Sequence, residues 1–416
     1  MKQVQEANLD YCLKCSTCHT QCPVVLNFLP FPGPKHMGPE LERLRLSKKQ
    51  GEVLKIDENL TYCTNCKRCD MACPHGVKPS YYNIKNKAKA KTAAVQKFRD
   101  WILAHNYWWG RSASKVPRLG SFILKLAPVK LVLKTIGMAD RDFPEYKGQR
   151  FKPKIQKEQT QKEQKGHKKQ GEQKKVLYFP GCYASFNQPE IIQAAVEILE
   201  AARCQVEVAP SGCCGTPLLS NGFLVEAGSW AKRITAVFLE YIEKGYKIVV
   251  SCPSCGLAFK DEYRDLLAVE QSELLSQHIY ELFELLAEEE NLPFEIFNKD
   301  KAKIKGAFYH IPCHLKAQGM GFPGAHILKN TVVEDLLVED SFCCGISGTF
   351  GFKREKQDLA AAIGGSLFNA IKDSKVKMVI TDCGTCMVQI RQHTCLEVKH
   401  PVLVLKDFLQ TQKGGK

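Results

Sequence analysis

The sequence predicts an α+β multidomain protein: a small, mainly α-helical, cysteine-rich N-terminal domain, then two tandem α/β repeats with small parallel sheets. Three observations carry this. The pattern C-x2-C-x2-C-x3-C-P occurs twice, as CLKCSTCHTQCP at residues 12–23 and CTNCKRCDMACP at 63–74. A five-cysteine set also occurs twice, Cys182, Cys213, Cys214, Cys252 and Cys255, then Cys313, Cys343, Cys344, Cys383 and Cys386, at an offset of 130–131 residues. Around each set, short β-branched or aromatic runs (VLYFPGC, AFYHIPC, KIVVSC, KMVITDC) alternate with helical patterns such as IIQAAVEILEAA and LAAAIGGSLFNAI, which indicates strands and helices around a parallel sheet.

These motifs use eighteen of the twenty cysteines, leaving only Cys204 and Cys395. At 416 residues the chain is long enough for several cores, so disulfides are not needed for stability. The N-terminal MKQVQEANLDY has no apolar segment of a signal-peptide type, which points to reduced thiols in a cytoplasm. Lys125, Lys130 and Lys134 interrupt the most apolar stretch, Leu119 to Met138, so no membrane-spanning helix is expected.

The formal charge of +15 is uneven: residues 78–146 carry +10 and 147–175 carry +8, while 176–416 carry −5. Positive charge set apart from the cysteines fits an anionic lipid surface or an acidic partner better than a nucleic-acid site. Five segments follow. Residues 1–100 form the two-motif domain and 101–146 a basic amphipathic helical segment. In the latter Pro117 and Pro128 break the pattern into short helices, which pack on one another and a partner or lie in a membrane interface. Residues 147–175, nearly all Lys, Gln, Glu and Gly, form a flexible linker. Residues 176–300 and 301–416 are the two repeats.

C-x2-C-x2-C turns three thiolates inward from one tight loop, as a cubane [4Fe-4S] cluster requires, and in such runs the cysteine before proline serves the other cluster. Cys12, Cys15, Cys18 and Cys73 are thus assigned to one cluster, and Cys63, Cys66, Cys69 and Cys22 to a second, within a ferredoxin-like fold. Structural zinc is the rival, but it prefers two cysteine pairs with a longer spacer. His19 and His75 flank the runs, and Lys67, Arg68 and Asp70 are candidates for tuning the potential.

The adjacent cysteines of Cys213-Cys214-Gly215 and Cys343-Cys344-Gly345 leave the backbone in different directions, so a multinuclear cluster suits them better than one ion. Gly215 and Gly345 let backbone approach it. Cysteines at the C-terminal ends of parallel strands stand where open α/β sheets bind ligands, and a helix starting just after Cys255 or Cys386 would aim its positive end there. Zinc with a spare thiol and a metal-free dithiol are the alternatives. His310 and His314 flank Cys313 and serve as donors to that set or as packing. Gly319-Met320-Gly321-Phe322-Pro323-Gly324 spells G-x-G-x-x-G without the preceding strand that dinucleotide binding needs.

The repeated five-cysteine pattern resembles the CCG domains of heterodisulfide reductase and related quinone-linked oxidoreductases. The strings PGPKHMGPELERLRL (32–46), YCTNCKRCDMACP (62–74), CCGTPLLSNGF (213–223), CCGISGTFGFKRE (343–355) and VITDCGTCMVQI (379–390) resemble the C subunits of anaerobic glycerol-3-phosphate dehydrogenases. The resemblance implies two cubane clusters, one or two noncubane [4Fe-4S] clusters, and electron transfer from flavoprotein subunits of A and B type toward menaquinone. It also implies a peripheral position on the inner face of the cell membrane and no nucleic-acid partner, with no substrate or flavin site on this chain. The alternatives are a fused heterodisulfide-reductase-type enzyme, or the iron-sulfur subunit of a glycolate or lactate dehydrogenase. A zinc-stabilised protein that binds nucleic acid through its basic middle is the reading furthest from these.

Overall fold

Short runs of three to five residues form the strands, the central ones largely buried and the edge ones partly exposed. In the first repeat these are β1 (Lys175–Phe179), β2 (Gln205–Val208), β3 (Tyr246–Val250) and β4 (Ile279–Glu281), all parallel in the order β2-β1-β3-β4. The second repeat has β5 (Ala307–His310), β6 (Leu336–Glu339), β7 (Met378–Ile380) and β8 (Glu397–Lys399), parallel in the equivalent order β6-β5-β7-β8. Val176, Leu177, Tyr178 and Phe179 are all buried, as expected of a parallel strand covered on both faces. The computed structural model describes residues 9–47, 58–90, 92–148, 174–288, 296–297 and 301–409. Most of the Lys/Gln/Glu linker, 149–173, lies outside the described residues.

Helix Glu190–Ala201 turns Ile191, Ala194, Ala195, Ile198 and Leu199 into a core that both repeats share, with Val176 and Tyr178 of one and Ala307, Tyr309 and Ile380 of the other. The packing is reciprocal. Helix Pro401–Lys406 of the second repeat lies against Glu190–Ala201 of the first, and Leu282–Glu288 of the first against Pro323–Thr331 of the second.

The N-terminal domain is tied to both repeats by polar contacts from its loops. Lys67 Nζ lies 3.1 Å from the fully buried Glu262 carboxylate, Lys78 bridges Asp261 and Asp265 at 2.7 and 2.5 Å, and Lys356 Nζ donates to the Thr61 carbonyl.

The middle segment divides in two. Helices Ala94–Ala104 and Asn106–Ala113 pack inward: Arg99 grips Glu355 with bonds of 2.7 and 2.9 Å. A Cβ on Gly110 would stand 2.4 Å from the Phe186 ring, so only glycine permits that approach. Helices Pro117–Lys125 and Ala127–Thr135, each started by a proline in its first turn, bury no residue and expose Leu119, Phe122, Ile123, Leu131 and Val132. Their lysines are less free than the charge count implies, since Lys125 and Lys134 pair with Glu145 and Asp140 at 2.6 and 2.7 Å. No described helix is long and apolar enough to cross a membrane.

Candidate metal centres

Lys14, Ser16, Asn65 and Lys67, the residues flanking the second cysteine of each N-terminal run, all have positive φ, between 54° and 67°. Non-glycine residues seldom take this conformation, and here it repeats in both runs. The resulting tight loops bring the three cysteines of each run together. In the first centre burial, then the neighbouring Cys12, Cys15 and Cys73, push the Cys18 thiol up to about 11. In the second, burial followed by Cys66 and Cys63 pushes Cys22 up to about 12, and Cys69 rises chiefly through burial as well. Cys73 therefore sits with the first run and Cys22 with the second. Cys15 is exposed, whereas Cys22 and Cys69 are buried.

The five-cysteine sets gather at the C-terminal ends of the strands. Cys182 and Cys313 follow β1 and β5, the CCG turns follow β2 and β6, and Cys252 and Cys383 follow β3 and β7. Gly215 and Gly345 both have φ +82° and donate their N–H to Cys213 and Cys343 Sγ at 3.4 Å. A Cβ on Gly345 would fall 1.9 Å from the Ala360 carbonyl oxygen, so no other residue fits there. Cys344 and Cys386 Sγ are 3.0 Å apart, and Cys313 and Cys343 Sγ 3.7 Å. Thiol hydrogen bonds from Cys343 and Cys386 lower Cys344 to about 6, and those from Cys213 and Cys255 lower Cys214. In both sets the second cysteine of the adjacent pair is thus held toward its thiolate form.

The helices after these strands start earlier than the spacing suggests. They span Pro253–Leu257 and Gly384–Thr394, with Cys252 and Cys383 as N-caps, so each C-x2-C lies within the first turn rather than before it. Pro253, which suits a first helical position, accounts for this in the first repeat. Five soft thiols converge in each buried cup, with a backbone N–H aimed at sulfur. That donor set fits a multinuclear iron-sulfur cluster and exceeds the four ligands of a zinc ion.

The centres adjoin one another. Cys66 of the second cubane set is near enough to Cys313 and Cys343 for the thiolates to repel, and Cys22 and Cys343 share one buried cluster. Arg68 stands between these two sets: burial would lower its pKa, but Cys313, Cys343 and Cys66 outweigh this and raise it. Cys252 and Cys383 feel each other across the repeat boundary. His314 contacts Ser254 of the first repeat and the Asn65 carbonyl of the N-terminal domain. The reciprocal residue Tyr183 packs on the bare Gly384, where a Cβ would be 2.3 Å away. His310 is fully buried, and burial lowers its pKa to about 4, which holds the ring neutral. His75 lines a small cavity with Cys12, Cys15, Cys18 and Cys73, while His19 packs edge-on to His36. Asn65, Ser254 and Tyr183 have no sequence signal beyond adjacency to cysteines.

Residues 8–77 match the family described as a 4Fe-4S dicluster domain, and residues 176–260 and 307–391 each match the cysteine-rich CCG domain. The chain is accordingly built for several [4Fe-4S] clusters. It is 33% identical to the C subunit of the anaerobic glycerol-3-phosphate dehydrogenase of Escherichia coli K12, over 98% of this chain and 100% of that protein. It is 25% identical to the glycolate oxidase iron-sulfur subunit of E. coli K12, covering 96% and 94%. With the D subunit of the dihydromethanophenazine:CoB–CoM heterodisulfide reductase of Methanosarcina acetivorans it shares 24% identity, covering 92% and 88%.

Proposed function

The chain belongs to the family of anaerobic glycerol-3-phosphate dehydrogenase C subunits, and from that membership we propose that it is the iron-sulfur electron-transfer subunit of such an enzyme. In this role it takes electrons from flavoprotein subunits and passes them toward menaquinone at the cytoplasmic face of the membrane. When bound, [4Fe-4S] clusters supply one-electron oxidation and reduction. The protein's part is to space the centres, exclude water and present two ends.

The observation that carries this role is that no cysteine set stands alone, each having another beside it. Cys12, Cys15, Cys18 and Cys73 come first, then Cys22, Cys63, Cys66 and Cys69, next to Cys313 and Cys343. The second five-cysteine set is in turn next to the first, through Cys383 and Cys252. The cubane end carries the exposed Cys15 beside exposed Tyr11 and Leu13, a surface suited to a flavoprotein partner. At the far end Cys213 is packed with Tyr107 and Phe186, and Cys182 and Trp230 adjoin them. The helices leading from Tyr107 expose Trp108, Trp109, Leu119, Phe122 and Leu131. Such an aromatic and apolar face beside basic residues suits an anionic lipid surface.

The test is anaerobic reconstitution with the flavoprotein partners, followed by glycerol 3-phosphate. The clusters should reduce as substrate is consumed. Clusters that stay oxidised while the flavin turns over refute the role, and disulfide reduction by the isolated chain with reduced viologen favours the heterodisulfide-reductase alternative.

A further inference from the structure

His310 ends β5, three residues before Cys313, and is 0% exposed. Neither ring nitrogen has a hydrogen-bond partner, and buried polar groups are rarely left so. A ring nitrogen of His310, Cys344 Sγ and Cys386 Sγ all lie within 4.8 Å of one another. The imidazole is therefore aimed into the second five-cysteine cup.

Packing does not require a polar ring there. The repeat offset places Phe179 at the equivalent end of β1, and its ring meets Phe238 and Phe259 edge-on at 5.6 and 5.3 Å. The first repeat closes the same position with hydrocarbon, whereas the second keeps a donor at its sulfur atoms.

We propose that His310 donates an N–H···S hydrogen bond to the sulfur of the second five-cysteine centre and so raises its reduction potential. A hydrogen bond to cluster sulfur stabilises the charge added on reduction. His310 is thus a positioning residue for redox tuning, with no counterpart in the first repeat. The inference rests on the second set holding a cluster, and not on which donor feeds it.

The experiment is EPR-monitored redox titration of the full chain, prepared without oxygen, with iron counted in each sample. The second centre is identified by the signal lost in Cys344→Ser. His310→Phe should keep the wild-type iron count and shift this centre to lower potential, while His310→Gln, which retains an N–H, should recover most of the shift. Wild-type protein labelled with 15N-histidine should show a nitrogen coupling to this centre in pulsed EPR that His310→Gln lacks. An unchanged potential in His310→Phe and His310→Gln, or no such coupling in the wild type, reduces His310 to packing and overturns the proposal. Iron loss in both variants makes it an iron ligand and overturns it too. If His310→Phe does not fold, the labelled wild type and His310→Gln still decide. A wild-type chain without iron in the second repeat fails at the premise, leaving the relay through other centres to be judged separately.

Discussion

His314 Nδ1 of the second repeat lies 2.9 Å from Ser254 Oγ of the first, and its Nε2 lies 3.0 Å from the Asn65 carbonyl oxygen in the N-terminal domain. The carbonyl only accepts, so Nε2 carries the proton and Nδ1 accepts from the serine hydroxyl. One neutral ring thus joins three parts of the chain, each beside a different cysteine set. His314→Ala should cost about 1–3 kcal/mol, read as a lower urea midpoint in anaerobic unfolding. An unchanged midpoint would show that these contacts contribute nothing net.

Glu262 is fully buried and meets both Lys67 Nζ at 3.1 Å and Asn65 Nδ2 at 3.0 Å. Removing the carboxylate leaves the buried lysine charge with only Ser80 Oγ and the Tyr81 ring beside it, a loss of about 3–5 kcal/mol for Glu262→Ala. Lys67→Met combined with Glu262→Leu should recover much of it. Chemical denaturation of the single and double variants checks both outcomes.

Burial raises Glu281 from 4.5 to about 8, against the opposing Gln318 hydrogen bond and Lys260 charge. The folded state therefore holds this proton more tightly than the unfolded chain. The associated stability is fully present below about pH 4.5 and is lost as pH rises toward about 8. Asp382, raised to about 7 by burial, acts in the same direction. Glu281→Gln should flatten the fall in unfolding free energy between about pH 4.5 and about pH 8, by up to a few kcal/mol. A variant with the wild-type slope would place the pH dependence elsewhere.

Leu119, Phe122 and Leu131 are between 53% and 64% exposed. Replacing all three with serine should leave the unfolding free energy within about 0.5 kcal/mol of wild type. Burying such a side chain is worth about 1.5–3 kcal/mol, so vesicle affinity should fall at least about tenfold. Sedimentation with anionic phospholipid vesicles, with and without added salt, measures this. Unaltered binding would move the lipid contact off these two helices.

Much of this was legible in the chain because it is local. Cys12 to Cys22 and Cys63 to Cys73 carry their spacing within a dozen residues, and the offset from Cys182 to Cys313 announces a repeat with no knowledge of packing. The parallel strands were legible because both faces of β1 and β3 are apolar. What only the tertiary structure decided is which centre stands beside which. The charges of Cys66 and Cys313 act on each other, Arg68 lies between two cysteine sets, and Cys252 and Cys383 likewise interact, since folding brings together segments more than a hundred residues apart. The same holds for charge: Lys125 and Lys134 are basic in any count, but folding places Glu145 and Asp140 against them. His310 shows the difference most plainly. Its position three residues before a cysteine is written in the chain, while its lack of a partner exists only once β5 is buried and water is excluded.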